Sequence, residues 1–231
     1  MYNNIINNLQ SLANPEIAEH SQRFFKTGKG EYGEGDLFLG IRVPIIRQAV
    51  KRFKIVPLPT LKRLLKSEFH EIRLFALLSL VYQYEKTDQQ EEIYKIYLSN
   101  TRYINNWDLV DTSTPNIVGS FLVNNDRKVL YELAKSDSLW ERRISILATF
   151  KFIRNGQFKD TLLISEILLN DDEDLIHKAV GWMLREVGNR DQQTEEKFLI
   201  KHYNNMPRTM LRYAIEKFEE EKRQKYLKGK I

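Results

Sequence analysis

A tryptophan and a carboxylate lie four residues apart in the segment Trp107-Asp108-Leu109-Val110-Asp111. Residues i and i+4 of a helix share a face, so a helical segment would point the Trp107 ring and the Asp111 carboxylate the same way. A carboxylate suits a cationic substrate, and the face of a tryptophan contacts sugars and bases. The alternative is structural: Trp107 and Trp182 pack in the interior, and Asp111 caps a helix.

Regularly spaced helices position this pair. Long apolar stretches without a breaking proline predict helices that open at Arg73, Arg143, Lys178 and Arg212, at intervals of 70, 35 and 34 residues. The interval of 70 holds two repeats, and the helix position midway between Arg73 and Arg143 is Asp108. A helix pair about every 35 residues is typical of a stacked α-solenoid, and the absence of the tetratricopeptide residue pattern favours HEAT-like repeats.

The second helix of each repeat lines the concave face of such a solenoid. Each repeat therefore presents one basic residue on this face, except the repeat that presents acid and tryptophan. We expect the next repeat to stack Arg143 beside Trp107 and Asp111. Trp182, four residues after Lys178, lies on the helix after that. The sequence thus predicts one groove lined by two tryptophans, a carboxylate and several cations.

The predicted fold class is all-α. Only 10 glycines and 6 prolines interrupt 231 residues, of which 42% are hydrophobic, and no convincing strand is present. No linker divides the chain, so we expect a single HEAT-like repeat domain over residues 1–231. It begins with helices over about 1–12 and 15–26. The one irregular insert is the glycine-rich segment 27–36, in which Lys29 and Tyr32 are the residues suited to contacting a nucleic acid.

Positive charge is concentrated in one stretch. The formal net charge is +5, and residues 41–67 hold eight basic residues and no acid: Arg42, Arg47, Lys51, Arg52, Lys54, Lys62, Arg63 and Lys66. Clustered lysines and arginines replace the counterions of a phosphate backbone, which indicates nucleic-acid binding. A solvated helix face is the alternative interpretation of this stretch.

Several other chemistries are disfavoured by the residues present. The chain has no cysteine, which excludes disulfides, iron–sulfur clusters and thiolate zinc sites. Its four histidines show no i, i+4 pair, so we expect no metal site. Residues 28–33 match G-x-G-x-x-G, but a helical stretch precedes them, and Glu31, Glu34 and Asp36 would repel phosphate. We therefore expect a flexible loop or hairpin tip there, and no cofactor.

No apolar run approaches the roughly 20 residues that span a bilayer, and the N-terminus lacks the features of a signal peptide. We expect a cytoplasmic monomer without membrane contact.

Four landmarks in order make the chain resemble the AlkD-like DNA alkylation-repair glycosylases, which are HEAT-like solenoids. The resemblance runs from about residue 24 to residue 218. The landmarks are Phe38-Leu39-Gly40-Ile41-Arg42-Val43-Pro44, Trp107-Asp108-x-x-Asp111, Trp140-Glu141-Arg142-Arg143 and Lys178-Ala179-Val180-Gly181-Trp182-Met183-Leu184-Arg185-Glu186.

The resemblance implies that Asp111 is the catalytic carboxylate, that Trp107 and Trp182 flank the lesion deoxyribose, and that Arg143 holds the backbone nearby. It also implies a concave DNA-binding face. We expect further DNA contacts from Arg47, Lys51, Arg73, Arg142, Lys178, Arg185 and Arg212. Two departures are Phe24, where the family has a tyrosine, and the insert 27–36; relatives with altered inserts include weak or inactive glycosylases that favour branched DNA.

Three functions follow from the sequence. The first is a glycosylase that excises cationic N3- or N7-alkylated purines from double-stranded DNA in base-excision repair, without a base-binding pocket. The second is a non-catalytic binder of branched or distorted DNA that uses the same basic groove. The third is a HEAT scaffold that binds protein and no nucleic acid.

Overall fold

The computed structural model describes all 231 residues, and they form helices, turns and no strand. The prediction of an all-α fold is confirmed. Contacts between Cα atoms divide the chain into two compact units, residues 1–121 and 122–231. A single domain over residues 1–231 stays a prediction. None of the helices is both long and apolar enough to cross a membrane.

Seven helices precede the division between the units. They are α1 (Tyr2–Gln10), α2 (Pro15–Phe24), α3 (Val43–Phe53), α4 (Leu58–Leu64), α5 (His70–Tyr84), α6 (Gln90–Leu98) and α7 (Trp107–Thr114). A 3₁₀ turn (Thr101–Tyr103) precedes α7, a π turn (Pro115–Gly119) follows it, and the short α8 (Ser120–Leu122) spans the division in the sequence.

Helix α5 is the centre of the first unit. It packs against α3, α4, α6 and α7, and twelve of its fifteen residues are buried. A helix that is buried on every side is apolar all round, which is why the sequence here shows a continuous apolar stretch rather than a stripe. The two titratable residues at its start, His70 and Glu71, are buried with it.

The second unit is built around two long helices. Its helices are α9 (Lys128–Leu133), α10 (Leu139–Arg154), α11 (Lys159–Ile167), α12 (Asp174–Gly188), α13 (Gln192–His202), α14 (Arg208–Ala214) and α15 (Glu220–Leu227). Helix α10 packs against α9, α11 and α12, and α12 packs also against α13 and α14. The apolar helix predicted to open at Arg212 is shorter than expected, because it becomes a 3₁₀ turn at Ile215–Lys217.

A local motif recurs at the start of the long helices. Arg73 Nη1 donates to the carbonyls of residues 67 and 68 at 3.0 and 3.1 Å, and Arg142 Nη1 donates to those of residues 136 and 137, both at 3.0 Å. His177 Nε2 likewise bonds the carbonyl of residue 171. In each case the side chain bonds the carbonyl oxygen of the residue six positions before it in the sequence.

This motif corrects the predicted register of the repeat. Residues that play the same structural role are Arg73, Arg142 and His177, rather than Arg73, Arg143 and Lys178. The side chains of Ser67, Ser136 and Asp171 also correspond, since each accepts the amide hydrogen of the residue two positions later. The repeat is therefore present as local structure, displaced by one residue after Arg73.

Gly40 lies where the chain returns from the insert towards α3. Its φ is +78°, and a Cβ atom there would lie 2.0 Å from the carbonyl oxygen of Asn14. The Asn14 amide in turn donates to the Leu39 carbonyl at 2.8 Å. Only glycine combines this backbone conformation with so close an approach to the start of α2.

Candidate functional site

Trp107 and Asp111 lie on one face of α7, as the sequence predicts. Helix α7 begins at Trp107 because Asn106 caps it: the Asn106 side chain accepts the Trp107 amide hydrogen at 2.8 Å. Both Trp107 and Asp111 are half-buried. The cap is therefore Asn106 and not Asp111, and the Trp107 ring retains an exposed part.

The chain after Asp111 leaves the α-helical register. An α-helix would require the amide of residue 115 to donate to the carbonyl of residue 111, and residue 115 is proline, which has no amide hydrogen. The five residues Pro115–Gly119 form a π turn. π turns are frequent at functional sites. This one directly follows the helix that carries the candidate carboxylate.

An aromatic cluster surrounds Trp107 within the first unit. The Trp107 ring centroid lies 6.0 Å from Phe24 and 5.5 Å from Phe25. Phe25 stacks on Phe38 at 5.2 Å, and Phe38 stacks on the His70 ring at 4.7 Å. Phe24 is 57% exposed, so the cluster runs from a solvent-exposed phenylalanine to a buried histidine.

His70 lies between two carboxylates. Its Nε2 lies 2.8 Å from Asp108 Oδ2, and its Nδ1 lies 3.4 Å from Asp36 Oδ2. Burial opposes the charged form of the ring, but the hydrogen bonds to Asp108 and Asp36 outweigh it and raise the pKa of His70 to about 9. At neutral pH His70 is therefore an imidazolium that donates to both carboxylates.

Asp36 ends the glycine-rich insert and is 6% exposed. Arg73 Nη2 donates to both of its carboxylate oxygens at 2.8 Å, and Asn105 Nδ2 donates to Oδ1 at 2.9 Å. Burial alone would raise its pKa, but the hydrogen bond from His70 and the charge of Arg73 hold the pKa of Asp36 below its usual value. The ionised Asp36 thus joins three segments of the first unit: the insert, α5 and the residues just before α7.

Arg73 does not have the exposed position predicted from the repeat. It is 3% exposed, and its guanidinium binds Asp36 and two backbone carbonyls. Because these bonds hold the guanidinium in the interior, Arg73 is not among the residues proposed to contact DNA.

Glu71 holds the segment that follows Asp36. Its carboxylate accepts three consecutive amide hydrogens, those of Leu39, Gly40 and Ile41, at 2.9, 2.8 and 3.1 Å. A buried carboxylate is tolerated when backbone donors satisfy it. His70 and Glu71, in the first turn of α5, thus hold the chain on both sides of Leu37: His70 bonds Asp36, and Glu71 bonds the amides of residues 39–41.

The basic surface consists of Arg42, Arg47, Lys51, Arg52, Lys54, Lys62, Arg63 and Lys66. All eight side chains belong to exposed residues, and none has a carboxylate within 4 Å. Arg63 stacks over the Tyr2 ring at 3.8 Å. On α3, Arg47 and Lys51 are one turn apart and share a face.

The other predicted DNA contacts lie in the second unit. Arg143 is 5% exposed and donates to the Leu175 carbonyl, and Arg142 binds Asp171. Lys178 and Arg185 pair with Asp174 and Glu216. Arg212 is exposed and has no ion pair.

Trp182 is half-buried on α12, where its ring lies 5.7 Å from Phe150 of α10 and its Nε1 donates to Glu186 at 3.2 Å. Trp182 and Arg143 belong to one unit, and Trp107 and Asp111 belong to the other. Their common groove stays a prediction.

Asp36, His70, Asn105 and Glu71 were not identified from the sequence as site residues. Asp36 and His70 are 34 residues apart, and no short motif joins them. A usable signal was present in His70-Glu71, since these two titratable residues begin a helix most of whose residues are apolar and buried. Such residues need buried partners.

Comparison with known proteins identifies the family. The family model described as DNA alkylation repair enzyme matches residues 5–218, so the chain belongs to the DNA alkylation repair enzyme family. Its role is in the repair of alkylated DNA, and its partner is DNA. The resemblance seen in the sequence is confirmed.

A solved structure gives the same fold. The predicted DNA alkylation repair enzyme from Enterococcus faecalis is 17% identical, with a TM-score of 0.70 over 90% of this chain and 97% of that one. At this identity the similarity shows the fold. No curated protein matches the sequence significantly.

Proposed function

We propose that the protein is a DNA glycosylase that excises purines alkylated at N3 or N7. Alkylation there makes the purine cationic and a good leaving group, so the glycosidic bond breaks with little protonation and the sugar becomes oxocarbenium-like. The glycosidic electron pair leaves with the purine, which departs as a neutral base. Water then adds to the anomeric carbon of the oxocarbenium ion and loses a proton to the solvent, which leaves an abasic site. The protein must supply negative charge beside the sugar and a positioned water, for which one carboxylate suffices.

The observation that carries the proposal is the face of α7 that holds Trp107 and Asp111. Asp108 is 9% exposed and bonded to His70, whereas Asp111 is half-buried on the face of Trp107. Of the two carboxylates in the motif, Asp111 is therefore the one suited to a substrate. The Trp107 ring offers an electron-rich face to a cationic sugar.

Arg143 and Trp182 have their proposed roles from the resemblance: Arg143 holds the DNA backbone near the lesion, and Trp182 flanks the sugar with Trp107. Further phosphate contacts come from Arg47 and Lys51, whose support is their exposure and lack of acidic partners. Arg142, Lys178, Arg185 and Arg212 are the proposed contacts of the second unit. Of these, Arg212 has support of the same kind.

The test is excision of 7-methylguanine from methylated duplex DNA by wild type, Asp111→Asn and the control Asp88→Asn. Asp88 is an exposed aspartate outside α7, so its variant removes the same charge elsewhere. We expect Asp111→Asn to lose excision while its DNA affinity stays within about twofold, a difference of ~0.4 kcal/mol. Spontaneous depurination must be subtracted with a sample that lacks protein. Wild-type turnover by Asp111→Asn would refute the role of Asp111.

A non-catalytic binder of branched DNA is the second candidate. The basic surface can bind DNA without Asp111. Phe24, whose ring contacts Trp107, stands where the family has a tyrosine. The excision experiment, together with a measurement of DNA affinity, separates the candidates. A binder releases no methylated purine, and its affinity for a four-way junction exceeds that for linear duplex. If the affinity for DNA does not depend on the salt concentration, the result would instead support the third function, a protein-binding scaffold.

A further inference from the structure

The acids Glu31 and Glu34 of the glycine-rich insert accept backbone amide hydrogens of the same insert. Glu31 accepts the Gly28 amide hydrogen at 2.8 Å, and Glu34 accepts that of Gly30 at 2.7 Å. The Gly33 amide donates to the Lys26 carbonyl at 3.0 Å. Two of the acids thus occupy the amides that a phosphate loop would offer. Glu31 and Glu34 are exposed, and the third acid, Asp36, is buried in the first unit.

We propose that this insert is a positioning arm, in which Asp36 orients His70, His70 orients Asp108, and the bonded Asp108 fixes the first turn of α7 and with it the face of Trp107 and Asp111. This inference rests on the proposed function for its consequence in catalysis, but not for its geometry. Asp36 and His70 are positioning residues, since neither touches the face that would meet the substrate.

The contacts form a continuous chain. Asp108 is bonded through both carboxylate oxygens, Oδ1 to the Leu109 amide at 2.8 Å and Oδ2 to His70 at 2.8 Å. A carboxylate held at both oxygens cannot rotate without breaking a bond. Because Asp108 directly follows Trp107, fixing Asp108 limits the motion of the helix start on which the Trp107 ring depends.

The charged groups around His70 balance each other. Asp36 faces it from the insert, Asp108 faces it from α7, and Arg73 lies one turn later on α5. The aromatic rings of Phe25 and Phe38 also pack against the His70 ring. Two carboxylates and two cations make a neutral buried group as long as His70 carries its proton.

Loss of that proton breaks the chain. A neutral imidazole has one N–H donor and one acceptor, so it donates to Asp36 or to Asp108 but not to both. If the bond to Asp108 breaks, Asp108 Oδ2 faces a ring nitrogen lone pair, and if the bond to Asp36 breaks, Asp36 Oδ2 keeps only its bond from Arg73. Deprotonation of His70 therefore loosens either the anchor or the start of α7.

The experiment compares wild type, Asp36→Asn and the control Glu34→Gln, which removes an acid of the same insert that lies outside the network. Nuclear magnetic resonance follows the His70 ring and the Trp107 indole across pH, and single-turnover excision is measured over the same range. In Asp36→Asn we expect the His70 titration to fall by about one pH unit or more. The Trp107 resonance and the alkaline limit of excision should move with it.

The outcomes separate this inference from the proposed function. If wild type excises no methylated purine, the proposed function fails, while the coupled titration of His70 and Trp107 still decides the positioning role. If excision occurs but its pH limit is the same in Asp36→Asn and wild type, the positioning role is wrong and the glycosylase stands. A wild-type His70 that titrates near 6.5, the ordinary value, also overturns it.

A milder variant covers the case in which Asp36→Asn does not fold. Asn105→Ala removes one neutral bond to Asp36 Oδ1 and leaves Arg73 and His70 in place. A shift of the His70 titration that the Trp107 titration follows supports the arm. Unchanged titrations of both residues in this folded variant refute it.

Discussion

His70 Nε2 lies 2.8 Å from Asp108 Oδ2, and this bond joins the first turn of the central helix α5 to the residue beside Trp107. The side chain of His70 is 2% exposed and that of Asp108 12%. The bond therefore forms away from water, where a charged hydrogen bond is strongest and an unpaired charge is most costly. A buried ion pair thus stabilises the start of α7, the helix that carries Trp107 and Asp111.

The stability of the fold should depend on the charge of His70. The pKa of His70 is raised to about 9 from the ordinary 6.5, so the native state binds this proton more tightly than the unfolded state. The resulting stability is fully present below pH 6.5 and is lost as the pH rises through about 9. His70→Gln should therefore destabilise the protein more at pH 6 than at pH 10.

Urea denaturation of wild type and His70→Gln at these two pH values measures the effect. The control is His20→Gln, because His20 is exposed and outside the network. Equal destabilisation by His70→Gln at both pH values would mean that the ring is neutral in the native state.

Arg47 and Lys51 should contribute to DNA affinity by neutralising phosphates. Replacing both with alanine should weaken binding to all sequences alike and flatten the dependence of log K on log salt by about two units, one for each phosphate that is no longer neutralised. Fluorescence anisotropy with duplex DNA at several salt concentrations measures this slope.

The matched control is the double variant Lys95→Ala/Lys128→Ala. It removes the same charge, but these lysines already pair with Glu91 and Glu132 on their own helices. Identical slopes for the two double variants would show that net charge alone, and not the basic surface, sets the affinity.

Gly40→Ala should destabilise the fold strongly. Its φ of +78° is strained for alanine, and the new Cβ would lie 2.0 Å from the Asn14 carbonyl oxygen. We expect a loss of about 2 kcal/mol or more in the free energy of unfolding. Gly30→Ala is the control, since Gly30 has a φ of +79° but no atom within 4 Å of the added Cβ.

Because the control shares the strain but not the clash, it should lose only about 1 kcal/mol. Urea denaturation of both variants gives the comparison. A loss in Gly40→Ala no larger than that in Gly30→Ala would mean that α2 moves away at little cost.

Filling the cavity beside Phe25 should leave excision unchanged. This cavity has a volume of about 620 Å³ and is lined by Ser21 and His20 of α2 and by Arg42 and Val43 at the start of α3. It is of the size of a ligand pocket. The family resemblance, however, implies cleavage without capture of the base. Ser21→Trp should therefore excise 7-methylguanine at the rate of Ser21→Ala.

Single-turnover kinetics of these two variants test the point. A large loss confined to Ser21→Trp would show that the base enters the cavity, and the absence of a base pocket would then be wrong.

The helices, their spacing and the pair Trp107 and Asp111 were predictable because they depend on local pattern. Apolar stretches identify α5, α10 and α12, and the i, i+4 rule places Trp107 with Asp111. The position of Arg73 was not predictable, because its burial depends on Asp36 in a segment whose composition indicates a loop. Pairing of that kind is long-range, and sequence spacing carries no information about it.

The register of the repeat was missed for a related reason. Arg142 and Arg143 are adjacent basic residues, and a count of spacing cannot decide which one bonds the preceding turn. The structure decides it through the two carbonyl oxygens that Arg142 contacts. Monomeric state and cytoplasmic location stay predictions.

The basic surface has a consequence for the speed of complex formation. Its eight cations have no acidic partners, so their field extends to an approaching polyanion and accelerates encounters. Such steering acts on the association rate constant, whereas the contacts formed at the lesion determine how long the complex lasts. Added salt should therefore slow the arrival of the protein at DNA far more than it shortens its residence at an alkylated base.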